Sequence, residues 1–543
     1  MTVSSRFSRL SQFLLFIAAA VFQANAQPAS HLPVSNLPHL ERAGEDFRLI
    51  VDGKPFVIFG AELKNSSCSC VACMDPIWPR LAAIPLNTVL TPVYWEQLEP
   101  EEGKFDYSIV DGLLAGARKN NLRLVFLWFG SWKNGTSSHI PFWMKRDSVR
   151  FPRSVLRDGR RVEVLTPVCS ASNKADSNAF AHLMRHLREV DSARHTVLMM
   201  QIENEVGLLG DSRDHSEFAN KLFDGPVPAE LISYLASHRD TLPENILALW
   251  RTSGFKNSGT WTEVFGTSKY TDELFMAWHY GRHINGVASA GKTEYRLPMY
   301  VNAWLSPKEN PQPGKYPSGG PVFQVLQIWR AAGDGIDMHS PDDYHSDFSI
   351  PFQQFKIPGN PMFIPEARPV PEGEANVFYA LGNGAFGFSP FGVDQWEDKD
   401  NVIGRSYRIL GALASELFTG AQKPPMAGFV ITTARPSTKV HVGDYDFEIQ
   451  LDNLYYSHSK LGYGIIAQVG PDKLLGVGQG FNATLLPGKD GKIIGWGPVV
   501  EQEYTNGAWK TRRRLNGDET YQGQALRFPD GSISVERAFA YTY

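Results

Sequence analysis

The chain has 543 residues, of which 43% are hydrophobic and 20% charged, with 13 Trp and a formal net charge of −4. That composition can bury a large core, suits two or three domains, and excludes a disordered tail or a fibre. No basic stretch extends beyond the short Arg512-Arg513-Arg514, so nucleic acid is not an expected partner.

Arg6 and Arg9 precede the apolar run Leu10 to Phe22, and Ala24-Asn25-Ala26 follows it. This pattern predicts a signal peptide over residues 1–26, cleaved before Gln27. The run is shorter than the roughly 20 residues of a bilayer-spanning helix and contains Ser11 and Gln12. The mature protein is therefore expected to be soluble and exported, periplasmic or extracellular, with no membrane partner. In an oxidising compartment Cys68, Cys70, Cys73 and Cys169 could form disulfides in any of three pairings, or together ligate a metal.

Eight short apolar runs follow: Pro55 to Ala61, Asn87 to Val93, Arg123 to Trp128, Thr196 to Ile202, Pro298 to Asn302, Gly335 to Met338, Pro361 to Pro365 and Gly384 to Ser389. Most are continuous rather than alternating, as expected of parallel strands covered on both faces. Between them lie helical stretches such as Ala179 to Val190, whose apolar residues Phe180, Leu183, Met184, Leu187 and Val190 repeat every 3.6 positions. The alternation predicts a (β/α)8 TIM barrel over residues 27–415, with its site at the C-terminal strand ends. From about Glu416 the runs Gly428 to Thr433, Asp446 to Leu451, Tyr463 to Val469 and Ile533 to Tyr541 alternate with turns such as Gly488 to Gly491. They predict a C-terminal antiparallel β-sandwich over residues 416–543, either a packing partner for the barrel or a sugar-binding module.

Glu205 follows the fourth strand and Glu366 the seventh, so two carboxyls enter one mouth from opposite sides. Glycoside hydrolysis needs such a pair, an acid for the leaving oxygen and a nucleophile or base across the ring. Asn204, directly before Glu205, is suited to a sugar hydroxyl.

Gln201 to Gly207 (QIENEVG) and Asn87 to Ser108 (NTVLTPVYWEQLEPEEGKFDYS) resemble glycoside hydrolase family 35, with a broader likeness to family 42 and to the Asn-Glu clan of retaining barrel glycosidases. The resemblance covers about Phe47 to Asp394. It implies an exported retaining exo-β-galactosidase with Glu205 as acid/base, Glu366 as nucleophile and Asn204 on the sugar. Members place a Glu after strand three for galactose hydroxyls, whereas here Trp128-Phe129-Gly130-Ser131-Trp132-Lys133 stands there. Pro92-Val93-Tyr94-Trp95-Glu96 replaces their Tyr-Val-Pro-Trp-Asn after strand two.

Around the pair we expect Glu62, Glu96 and Tyr344 as polar contacts, and Trp128, Trp132 and Trp304 as sugar platforms. The expected partner is a β-galactoside oligo- or polysaccharide, and the mechanism calls for neither a cofactor nor a metal, Asp342, Asp343 and His345 notwithstanding. The long segment Leu208 to Leu297 is expected to wall off the leaving-group side, giving an exo-acting pocket. A clan relative with another sugar preference and a non-catalytic carbohydrate-binding barrel remain as alternatives. The oligomeric state is open.

Overall fold

Eight parallel strands, counted among the described residues, form one sheet in the order 7-6-5-4-3-2-1-8. They are β1 (Ile58–Glu62), β2 (Thr88–Tyr94), β3 (Arg123–Phe129), β4 (Val197–Ile202), β5 (Met299–Trp304), β6 (Met338–Asp343), β7 (Glu366–Ala367) and β8 (Gly387–Phe388). A parallel bridge between Ile364 and Phe388 joins the two ends and closes the barrel. The computed structural model describes residues 37–543 except Asn310, Ser346, 369–370, 396–401, 455–456 and 489–491. The expected signal peptide over residues 1–26 lies outside the described residues, as does most of the turn at 488–491.

The continuous runs become strands because both faces are covered: every residue of β2 and β4 is buried. Three strands depart from the sequence reading. The expected run Pro55 to Ala61 is split, because Pro55 and Phe56 belong to the strand Lys54–Phe56 of a separate sheet and β1 starts at Ile58. β6 begins where the expected Gly335 to Met338 run ends, since its Ser, Pro and two Asp have low strand propensity. The ladder nevertheless pairs Trp304 with Asp342 and Asp342 with Glu366. One line across three strand ends therefore carries Trp304, Asp342 and Glu366. β7 likewise starts at Glu366 itself, one residue past the expected run.

The segment between β4 and β5 is not an open loop. It folds into the helices Glu217–Phe223, Ala229–Ser237, Glu244–Arg251, Trp261–Phe265 and Lys269–Glu294. Its Trp250, Trp261 and Trp278 are buried, so they serve packing. The predicted helix at Ala179 to Val190 is part of the longer Ser170–Asp191, which packs against Lys269–Glu294.

A three-stranded antiparallel sheet, His39–Ala43, Asp46–Val51 and Lys54–Phe56, precedes the barrel and was not legible in the sequence. Asp52 ties it to the entry side of the barrel, bonding Arg123 at the start of β3 and His195 just before β4.

The C-terminal part is a sandwich of a six-stranded and a four-stranded antiparallel sheet. Phe429, Phe447, Phe481 and Phe528 fill the space between the two sheets. The change of architecture falls between the helix Ala414–Leu417 and the strand Met426–Thr432. The helix Pro371–Gly382 lies on that first strand so closely that a β-carbon on Gly428 would meet the Phe378 carbonyl at 2.3 Å. Arg537 adds a two-pronged bond to Glu416, both contacts at 2.7 Å. Among the described residues no helix is long and apolar enough to cross a membrane.

Cys70 and Cys73 form a disulfide, while Cys68 and Cys169 are free. The four-cysteine metal site and the paired-disulfide alternatives are thus replaced by one short loop. Cys68 is buried, and its thiol donates to the Pro92 carbonyl at 3.2 Å.

Candidate active site

The chain leaves β4 through a strained turn in which Glu203 and Glu205 have φ of 60° and 42°, a region that side chains other than glycine rarely enter. Neighbouring strands hold it there. The Glu203 carboxylate accepts the backbone N–H groups of Ser131 at 3.0 Å and Trp132 at 2.7 Å. The Asn302 Oδ1 at the end of β5 accepts the Glu205 N–H at 3.0 Å. Gly130 is required beside this staple, because a β-carbon would lie 2.6 Å from Glu203 Oε1.

Glu205 and Glu366 thereby face one another. One carboxyl oxygen each from Glu205, Asp342 and Glu366 lies within 4.8 Å of the others. Glu366 accepts the Tyr344 hydroxyl at 2.8 Å on one oxygen and Asn302 Nδ2 at 3.3 Å on the other. Asn302 Nδ2 also donates to Asp342 at 2.8 Å and to Asn204 Oδ1 at 2.9 Å.

Burial dominates the electrostatics. It raises Glu205 to about 8, and the like charge of Glu366 adds to the effect. Burial also lifts Glu62 and Asp342 well above the ordinary carboxylate range, again with Glu366 as the next cause. Glu366 is raised by burial as well, but the Lys133 ammonium and the Tyr344 and Asn302 donors pull it back. The cluster therefore favours one ionised carboxylate, Glu366, among protonated neighbours.

Glu205, Glu366, Tyr344 and Trp304 meet at one cavity of about 710 Å³, together with Lys133 and Asp342. Trp304 is 42% exposed and presents its ring there. The other expected contacts are elsewhere. Trp128 and Trp132 are fully buried and cannot stack on a sugar. Trp128 Nε1 donates to Asp176 at 2.9 Å, and Trp132 donates to the Leu165 carbonyl at 3.2 Å. Glu96 pairs with His139 at 2.8 Å, a contact that holds its carboxyl below the usual range, and it does not line the cavity. Glu62 is buried behind the cavity wall, near Glu366.

Asn204 is also behind that wall rather than at its surface. Its oxygen accepts from Gln201 and Asn302, and its Nδ2 donates to the Lys133 carbonyl at 3.0 Å. It orients the turn carrying Glu205.

Sequence reasoning missed Asn302, Asp342 and Lys133 as site residues. Lys133 had a signal, since it ends the segment after β3 where an acidic residue was expected. Asn302 was read as the last strand residue and Asp342 as part of a polar loop, so only the register across β5, β6 and β7 reveals them. Glu203 was hidden by its neighbour Glu205: it joins Asp176 and His283 in a buried polar cluster under the site. Among the described residues, Glu205, Asp342 and Glu366 form the group of donors close enough to share a cation.

Two family profiles match the chain. One described as beta-galactosidase, of glycoside hydrolase family 42, covers residues 80–253. These findings support a glycoside hydrolase. Family 35, which the motifs resemble, is not the family that matched. The second profile, a domain of unknown function, DUF5597, covers residues 403–527, mostly within the sandwich. No curated protein matches the chain.

Similar solved structures include the catalytic domain of a beta-amylase from Paenibacillus polymyxa, at 13% identity and a TM-score of 0.46, over 65% of this chain and 97% of that one. A beta-galactosidase from the psychrophilic Marinomonas ef1 aligns at 13% identity and a TM-score of 0.44, over 66% of this chain and 60% of that one. A beta-1,4-D-mannanase from Cryptopygus antarcticus aligns at 16% identity and a TM-score of 0.41, over 71% and 97%.

Proposed function

We propose that the protein is an exported, retaining exo-β-galactosidase that removes a terminal β-linked galactose from oligo- or polysaccharide side chains. The observation that supports retention is the approach of Glu205 and Glu366, one carboxyl oxygen of each lying within 4.8 Å of the other. Double displacement needs carboxyls about 5–5.5 Å apart, whereas inversion needs about 6.5–9.5 Å to admit a water.

In this reaction protonated Glu205 donates to the leaving oxygen while ionised Glu366 attacks the anomeric carbon. Water then resolves the glycosyl-enzyme, with Glu205 accepting its proton, and the anomeric configuration is retained. Tyr344 and Asn302 hold the Glu366 carboxylate in line, and Lys133 favours its charged form. The match to a beta-galactosidase profile supports the choice of sugar, and the signal-like residues 1–26 support export.

Lys133 favours a second reading, a clan relative with a different terminal sugar, because a cation lines the pocket where the resemblance leads one to expect an acid that reads galactose. A panel of aryl β-glycosides separates the two. Galactoside turnover well above arabinoside, glucoside and mannoside turnover is expected, and the reverse ranking would move the assignment to the second reading. Glu366→Ala should abolish turnover, and wild-type rates in that variant would sink both.

A further inference from the structure

The charges around the catalytic cavity do not cancel. Lys133, Lys315 and Arg368 line it from the segments after β3, β5 and β7, together with the carboxyls of Glu205, Asp342 and Glu366. Lys133 is half-buried and its charge acts on all three carboxyls. Ionised Glu366 balances it. Lys315 and Arg368 are exposed at the cavity, and among the described residues neither forms an ion pair or a side-chain hydrogen bond. His345, also on the wall, is tied to Asp343 at 3.3 Å. The adjoining depression of about 230 Å³, which shares His345 with the cavity, adds Lys308 and no carboxylate.

This surplus of positive charge is local. The chain as a whole carries a formal charge of −4, so cations at the mouth do not follow from composition. Like charges that line one concave surface repel one another and focus a positive potential into it. A neutral sugar leaves that repulsion in place and meets Lys315 and Arg368 with hydroxyls alone. An anionic group relieves it, and the planar fork of a guanidinium suits a carboxylate or a sulfate through two parallel hydrogen bonds.

We infer that the saccharide cleaved here is acidic, one of its sugars carrying a carboxylate or a sulfate ester that Arg368 and Lys315 bind at the mouth of the cavity. Lys133 stays with Glu366, and Lys308 extends the positive field along the depression. This rests on the glycosidase reading above and adds the charge class of the substrate.

The test is kcat/KM at low ionic strength on substrates matched except for one charged group. An aryl β-galactoside is set against its sulfate ester at the primary hydroxyl and against the aryl β-galacturonide, which place the charge on the terminal sugar. Lactitol is set against lactobionate, which carries a carboxylate on the group that leaves. At least one acidic substrate should be favoured over its neutral match by about tenfold or more, the size of a charge-assisted hydrogen bond. Which substrate shows the advantage identifies the anionic group and its position. The advantage should shrink as salt rises from about 0.01 M to about 1 M, because the screening length falls from about 30 Å to about 3 Å. It should also collapse in Arg368→Gln and in Lys315→Gln, two surface substitutions whose folding is checked by melting temperature. Neutral substrates cleaved as well as every acidic one, or an advantage that both variants retain, would overturn the acidic class and leave the glycosidase reading standing. A wild-type enzyme that cleaves none of the five would remove the galactosidase reading and the acidic class with it.

Discussion

Tyr344 donates its hydroxyl to Glu366 at 2.8 Å, across the same narrow space in which Glu366 confronts Glu205. Burial and the charge of Glu366 push the phenol well above its ordinary value, so it remains a donor. Removing it with Tyr344→Phe should lower kcat by about ten- to a hundredfold, the size of a lost hydrogen bond to a charged group, about 1.5–3 kcal/mol. The circular dichroism spectrum should not change, and an unaltered kcat would show that Glu366 needs no such support.

The pH profile should report Glu205. Its carboxyl, raised to about 8, must be protonated to act as the acid, so kcat/KM should fall as pH rises through about 8.

Stability follows the same sign. A carboxyl raised in the folded state contributes its full stabilisation below the unfolded value of 4.5 and loses it as pH climbs to about 8. The melting temperature should therefore decline between about pH 5 and pH 8, and Glu205→Gln should flatten that decline. Glu62 and Asp342 are raised as well and should leave a residual slope in that variant.

Lys133 lowers the affinity of Glu366 for its proton. Lys133→Ala should move the acidic limb of kcat/KM to higher pH, because Glu366 then ionises later. A limb that stays where it was would remove Lys133 from the charge balance of the site.

The tryptophans should divide by burial. Trp304→Ala should reduce kcat/KM with little change in melting temperature, since the ring is 42% exposed at the cavity. Trp128→Phe should instead cost about 1–3 kcal/mol of stability by leaving Asp176 short of a donor in the interior. Denaturant titration and steady-state kinetics on both variants distinguish the roles.

The seat of the sandwich on the barrel should be intolerant of any side chain at Gly428. A β-carbon 2.3 Å from the Phe378 carbonyl forces helix and strand apart, and Gly428→Ala should cost about 1–3 kcal/mol, as overpacking does. An unchanged denaturation midpoint would mean that the two domains do not depend on this contact.

The sequence by itself determined the barrel class and most of its strands, the presence of a β-rich C-terminal region, and two glutamates at the ends of β4 and β7. It could do so because strands buried on both faces must be apolar throughout, a local requirement visible one segment at a time. β6 escaped because its Ser, Pro and Asp residues suit a loop locally and become a strand only when β5 and β7 flank them. Only the tertiary structure decided which polar and aromatic residues surround the carboxylates. Trp128 and Trp132 follow a strand end as a sugar platform would, yet they turn inward to Asp176 and Leu165. Asn302 and Asp342 become neighbours of Glu366 through a register that no single segment encodes. The raised pKa of Glu205 arises in the same way, from burial and from the like charge of Glu366, which stands far along the chain.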